Sequence, residues 1–103
     1  MSIIFHIVKE EYDRLIEAQD VYKERISKEI RGSPRTKHFG KKDYLYLEYR
    51  DGEKIVYKYV GEGNSPKAIE VLESVKRRKK NEESLKKVKL DLKDVKKVLR
   101  GKI

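Results

Sequence analysis

The chain has 103 residues and a mass of 12.3 kDa, with 27 Lys and Arg against 18 Asp and Glu, a formal net charge of +9. That length suits one small domain with a modest core, which leaves little material for a large enclosed active site, and zero cysteines exclude disulfides, thiolate zinc sites and cysteine nucleophiles. No apolar run approaches the ~18 residues of a membrane span, and the apolar opening lacks the basic flank of a signal peptide, so a soluble cytoplasmic protein with no membrane partner is expected.

Ser2-Ile3-Ile4-Phe5-His6-Ile7-Val8 is short and rich in β-formers, which predicts an N-terminal strand. From Lys9 the period changes: Tyr12, Leu15, Ile16, Gln19, Tyr22, Ile26 and Ile30 recur at steps of three and four, the mark of an amphipathic helix. Glu10, Glu11 and Asp13 are then expected in its first turn, and Gly32 followed by Pro34 ends it near Arg31.

Arg35-Thr36-Lys37-His38-Phe39 and Gly40-Lys41-Lys42 read as a short strand and turn. Two alternating runs, Tyr44 to Tyr49 and Glu53 to Val60, flank Asp51-Gly52 and predict a hairpin. A two-residue Asp51-Gly52 turn would mix charge and apolar groups on each face. A three-residue Arg50-Asp51-Gly52 loop places Leu45, Leu47, Tyr49, Ile55, Tyr57 and Tyr59 together, and it is preferred because burial of a clean apolar face sets register. Tyr44, Tyr46, Glu48, Arg50, Lys54, Val56 and Lys58 then share the other face.

Gly61-Glu62-Gly63-Asn64 reads as a loop, and Ser65-Pro66 as an N-cap with proline at the first helical position. Ala68, Ile69, Leu72 and Val75 give a helical face ahead of five consecutive cations, Lys76-Arg77-Arg78-Lys79-Lys80. Leu85, Val88, Leu92, Val95 and Leu99 follow at heptad spacing, a seam for the chain's own sheet, a second copy or a partner helix. A strand at Val88-Lys89-Leu90 with Asp91 capping a last helix is the competing reading. The whole predicts one α+β domain over 1–103: an N-terminal strand and amphipathic helix, a three-stranded antiparallel meander, then two C-terminal helices, with 82–103 as a protruding or dimerising element.

Charge is unevenly spread. Residues 1–31 carry a net −1, residues 32–61 a net +3 and residues 62–103 a net +7. Charged residues make up 44% of the chain, while Gln19, Asn64, Asn81 and Met1 are the sole residues of their thermolabile types, a pattern that points to a thermophilic source. A purely thermophilic surface would intersperse both signs throughout, as the first segment does. The surplus cations of the other two instead concentrate polyanions.

Catalytic signatures are weak. The chain has no glycine-rich phosphate loop ending in Lys-Ser/Thr, the 61–64 loop lacks the third glycine of a dinucleotide fingerprint, and His6 and His38 stand apart without a metal-ligand pattern. A non-enzyme without metal or cofactor is expected. For nucleic acid, DNA or RNA, the candidates are Arg35, Lys37, Lys41, Lys42, Tyr44, Tyr46, Arg50, Lys54 and Lys58 around the hairpin, where rings stack bases and cations hold phosphates. Lys76, Arg77, Arg78, Lys79 and Lys80 form a second candidate, a collar suited to phosphate contact without base reading. The class that competes is an antitoxin-like or adaptor module that grips a helical protein partner, or a second copy, through Leu85, Val88, Leu92, Val95 and Leu99.

Arg31-Gly32-Ser33, Gly40-Lys41-Lys42, Tyr44-Leu45-Tyr46-Leu47-Glu48-Tyr49-Arg50, Gly52, Lys54, Tyr59 and Gly61 together resemble a basic hairpin module of small archaeal proteins. The same string is similar to segments near the front of some insertion-sequence transposases and nucleotidyltransferase-type antitoxins. The resemblance covers residues 31–61 and implies a nucleic-acid-associated or mobile-element context. It carries a contact role to Tyr44, Tyr46, Arg50, Lys54 and Lys58, and no catalytic residue.

Overall fold

The computed structural model describes residues 3–100 and shows an α+β chain: a helix, a three-stranded antiparallel sheet and a C-terminal helix. The elements are α1 (Ile3–Ser27), β1 (Ser33–Phe39), β2 (Lys42–Asp51), β3 (Lys54–Glu62) and α2 (Pro66–Arg100). The chain divides into two compact units, Glu29–Lys79 and Met1–Lys28 with Lys80–Ile103.

Two expectations are corrected. The stretch read as an N-terminal strand is the opening of α1. Its β-formers obey the helical period: Phe5 and Val8 are half-buried in step with Tyr12 and buried Leu15, and neither Gly nor Pro separates Val8 from Lys9 to break the chain. Tertiary burial along one stripe outweighs local β preference. Glu10, Glu11 and Asp13 therefore lie beyond the first turn. The second correction is at the other end, where one helix, α2, replaces the two expected helices and the competing strand at Val88 to Leu90. Between Pro66 and Arg100 the sequence contains no Gly and no further Pro, so nothing stops propagation.

In the unit Glu29–Lys79 the strand order is β1-β2-β3, with both pairs antiparallel. Leu45 and Leu47 of central β2, Val60 of β3 and Ala68, Val71 and Val75 of α2 form the core, with Ile30 packed against it. Positions 68, 71 and 75 lie on one helical face, and Ala68, fully buried, lets that face approach the sheet closely. The start of α2 is capped as expected: the Ala68 N–H donates to Ser65 Oγ at 3.2 Å, and the Ser65 hydroxyl donates to the Glu62 carbonyl at 2.8 Å.

α1 ends at Ser27, short of the expected Arg31. The Ile30 N–H goes instead to the buried Ser74 hydroxyl of α2 at 2.9 Å, and Ser74 donates to Glu29 Oε2 at 2.7 Å. Arg78 donates to the Ile30 carbonyl at 2.7 Å and to the Gly32 carbonyl at 3.1 Å, fixing the segment that leads into β1. Gly32 has φ of 110°, and a Cβ there would stand 3.2 Å from the Glu48 carbonyl oxygen, so this turn needs glycine both for its dihedral and for space.

In the unit Met1–Lys28 with Lys80–Ile103, Leu15 of α1 is buried with Val88 and Leu92 of α2, and Tyr12, Ile16, Ala18, Tyr22 and Val95 pack around them. The helix surfaces carry local ion pairs, Lys9 to Asp13 at 3.3 Å and Lys28 to Glu24 at 3.2 Å. No helix of the described residues is long and apolar enough to cross a membrane.

Candidate functional site

The hairpin register decides which side chains face outward, and it differs from both sequence alternatives. Asp51 opposes Lys54, Arg50 opposes Ile55, Glu48 opposes Tyr57 and Tyr46 opposes Tyr59, so the turn is Gly52-Glu53. Gly52 has φ of 65° and no other residue type has a positive φ among the described residues, the pattern of a II′ turn with glycine first. A bulge follows: Tyr46 opposes Tyr59, but Leu45 opposes Gly61, which leaves Val60 as the extra residue and turns it into the core.

This register exchanges the two halves of β3. Ile55, Tyr57 and Tyr59, expected inside with Leu45 and Leu47, join Tyr44, Tyr46, Glu48 and Arg50 on the outer face, while Lys54, Val56 and Lys58 share the inner face. The physical reason is that β3 is an edge strand. Lys58, opposite Leu47, stays exposed there, because a long stem can run along apolar surface to water. Lys54 and Lys58 are thus removed from the face to which the sequence assigned them.

Strand β1 completes the outer face, with Arg35 opposite Tyr46, Lys37 opposite Tyr44 and Phe39 opposite Lys42. The rings form a contiguous row: Phe39 to Tyr44 at 6.1 Å, Tyr44 to Tyr59 at 6.3 Å and Tyr59 to Tyr46 at 5.3 Å between centroids. Phe39, Tyr57 and Tyr59 are 61%, 51% and 52% exposed. The Lys37 ammonium lies over Tyr46 at 4.8 Å and over Tyr57 at 5.2 Å, so both rings present an electron-rich face to a cation.

Four cations, Arg35, Lys37, Lys42 and Arg50, share this face with two carboxylates, Glu48 and Glu62. Arg35 Nε donates to Glu48 at 2.7 Å, the Tyr57 hydroxyl donates to the same carboxylate at 3.2 Å, and Lys42 meets Glu62 at 3.5 Å. Lys37 and Arg50 have no carboxylate within salt-bridge distance among the described residues. Lys41 sits exposed in the β1–β2 turn, and His38 Nδ1 pairs with Asp43 Oδ1 beside it.

The basic run of α2 separates into two kinds of residue. Arg77 donates to Glu29 Oε1 at 3.1 Å and Arg78 binds the two carbonyls described above, so both hold the fold together. Hydrogen bonds from Arg77 and then Ser74 hold the Glu29 carboxyl below the ordinary carboxylate range, while the carboxylate raises the Arg77 guanidinium. Lys76, Lys79 and Lys80 are exposed. The expected five-cation collar is therefore three lysines beside a structural arginine pair. Of the heptad residues, Val88 and Leu92 are buried with Leu15 and Val95 packs on them, while Leu85 and Leu99 are half-buried.

The sequence reading missed Phe39, Tyr57 and Tyr59. Their signal was present in Gly52-Glu53, since a II′ turn takes glycine first, and in the Tyr57 and Tyr59 alternation, which matches that of Tyr44 and Tyr46 once the turn moves by one residue. No group of His, Asp and Glu suited to hold a metal occurs among the described residues. Comparisons with protein-family models, with curated proteins and with solved structures give no match, so the reading of this face rests on its own geometry.

Proposed function

We propose that the protein binds nucleic acid, without catalysis, through the outer face of its sheet. The observation that supports this is the row Phe39, Tyr44, Tyr59 and Tyr46, with Phe39 and Tyr59 exposed and Tyr44 and Tyr46 half-buried, set among Arg35, Lys37, Lys42 and Arg50. A stable small domain gains by burying such rings, and an uncovered aromatic patch marks a binding surface. Rings supply stacking for bases, and neighbouring cations supply contacts for phosphates. Lys37 and Arg50, which have no carboxylate within salt-bridge distance among the described residues, are the phosphate contacts of this reading. The reading extends to a regulatory or mobile-element-encoded binder.

Titration of labelled DNA and RNA from about 50 to about 200 mM salt tests the proposal. Log affinity should fall linearly with log salt with a slope of several units, and Lys37→Gln and Arg50→Gln should each reduce that slope by about one. Binding that is absent or indifferent to salt would overturn it. The adaptor alternative is weakened by the covering of Val88 and Leu92 by α1.

A further inference from the structure

We infer that the ligand of this face is an extended single strand with unstacked bases, an inference that rests on the nucleic-acid reading above and names its substrate class. Successive rings lie 6.1, 6.3 and 5.3 Å apart, and their planes are inclined to one another by 55°, 47° and 58°. Stacked bases of one strand advance by about 3.4 Å and stay nearly parallel. Consecutive bases seated on these rings must therefore be pulled to about 1.6 to 1.9 times the stacked spacing and tilted apart. A base pair inside a duplex offers no such face, because both sides of each base are already covered by its neighbours.

The sheet also argues against groove binding. A two-stranded ribbon fits the major groove, about 12 Å wide. Here β2 is flanked by β1 on one side and β3 on the other, so the sheet is one strand wider than such a ribbon, about 10 Å between its outer strands. The aromatic residues are drawn from all three strands, so the usable surface is a broad platform rather than an insertable edge.

Lys37 gives the platform an occupied resting state. Its ammonium covers the faces of Tyr46 and Tyr57, and a base that seats on either ring displaces it toward the adjoining phosphate. The cation that protects the free rings becomes a backbone contact in the complex. A strand that stacks weakly on itself loses least when drawn out in this way, so pyrimidine strands are preferred over oligoadenylate.

The test uses the full chain and four probes at fixed low salt: oligothymidylate, oligouridylate, oligoadenylate and a duplex of equal length. The chain has seven Tyr and no Trp, so quenching of tyrosine emission reports stacking directly, alongside anisotropy of the labelled probe. One or both pyrimidine strands should bind more tightly than oligoadenylate and the duplex, with quenching. Tyr46→Ala and Tyr59→Ala should each weaken that binding by about 5- to 150-fold, whereas Tyr46→Phe and Tyr59→Phe, which keep the ring, should retain it. A melting curve for each variant separates loss of contact from loss of fold, and the Phe variants keep the test decisive if an Ala variant unfolds.

Duplex binding as tight as that of the single strands and unchanged in the ring variants would overturn the single-strand inference while leaving nucleic-acid binding intact. Preference for oligoadenylate would overturn the claim that bases are drawn apart. Phe variants as weak as the Ala variants would show that hydroxyls rather than ring faces make the contact, which also overturns it. No binding to any of the four probes would remove the underlying reading together with the inference.

Discussion

The two faces of the sheet are built from alternate residues of the same strands, yet they are put to opposite uses. On β2, Leu45 and Leu47 point inward to Val60, Ala68, Val71 and Val75, while Tyr44 and Tyr46, their immediate neighbours, point outward to Phe39 and Tyr59. Aliphatic side chains fill the buried side, where close packing is rewarded and there is no hydroxyl to satisfy. Tyr44, Tyr46, Tyr57 and Tyr59 occupy the open side, where the ring is apolar and the hydroxyl can reach water or, for Tyr57, the Glu48 carboxylate. The difference shows that apolar character alone does not identify the core of a small sheet. What decides is which face a helix covers.

The largest effect expected from breaking this contrast is at Leu45. It is 2% exposed at the centre of the inner cluster, so Leu45→Ala should cost about 2–5 kcal/mol by lost burial and an incompletely collapsed cavity. Tyr46→Ala, one residue away on the outer face, should lower stability much less and ligand affinity much more. Chemical denaturation of the two variants, paired with anisotropy, measures the exchange. Equal losses of stability would mean that the outer rings also serve as core.

Next in size is Ser74, a buried hydroxyl that accepts from the Ile30 N–H and donates to Glu29. Ser74→Ala leaves that backbone donor without its acceptor and should cost about 1–3 kcal/mol, with little change in binding on the outer face. Gly52→Ala addresses the register itself. Nothing lies within 4 Å of the added methyl, so the cost arises from the left-handed φ of 65° alone, about 1–2 kcal/mol. If denaturation shows no loss at Gly52→Ala, the II′ turn is not what sets which residues of β3 face outward.

Local chemistry made much of this fold legible in the sequence. Ser65-Pro66 announces the start of α2, and the alternation in β2 sorts Leu45 and Leu47 from Tyr44 and Tyr46 correctly. The failures share one cause, the placement of a boundary by local preference. Ile3 to Val8 is locally β-like, but Phe5 and Val8 extend the stripe of Tyr12 and Leu15. In β3 the expectation that each face be chemically uniform carried Tyr57 and Tyr59 inside. An edge strand tolerates Lys58 on the inner face, and the bulge at Val60 recovers the one apolar contact that the core requires. At the basic run, the sequence displays five equal cations. Only the fold distinguishes Arg77 and Arg78, which reach Glu29 and the carbonyls of Ile30 and Gly32, from Lys76, Lys79 and Lys80.

The smallest expected effect is also the one that best separates structural from ligand-binding cations, and it is read against pH. Arg77 and Ser74 bind the ionised form of Glu29, so its folded pKa lies below the unfolded value. The unfolded state therefore takes up the proton first as pH falls, and the stabilisation by this carboxylate, complete above the ordinary carboxylate range, is lost progressively as pH drops through that range to the lower folded value. Glu29→Gln keeps the shape and removes the titration, so its stability should decline less steeply over that acidic interval than that of the native chain. At neutral pH the variant should be slightly weaker, with unchanged affinity for nucleic acid if Arg77 serves the fold alone. Parallel acid curves for the two proteins would mean that Arg77 does not hold Glu29 in solution, and an accompanying change in affinity would return Arg77 to the ligand-binding surface.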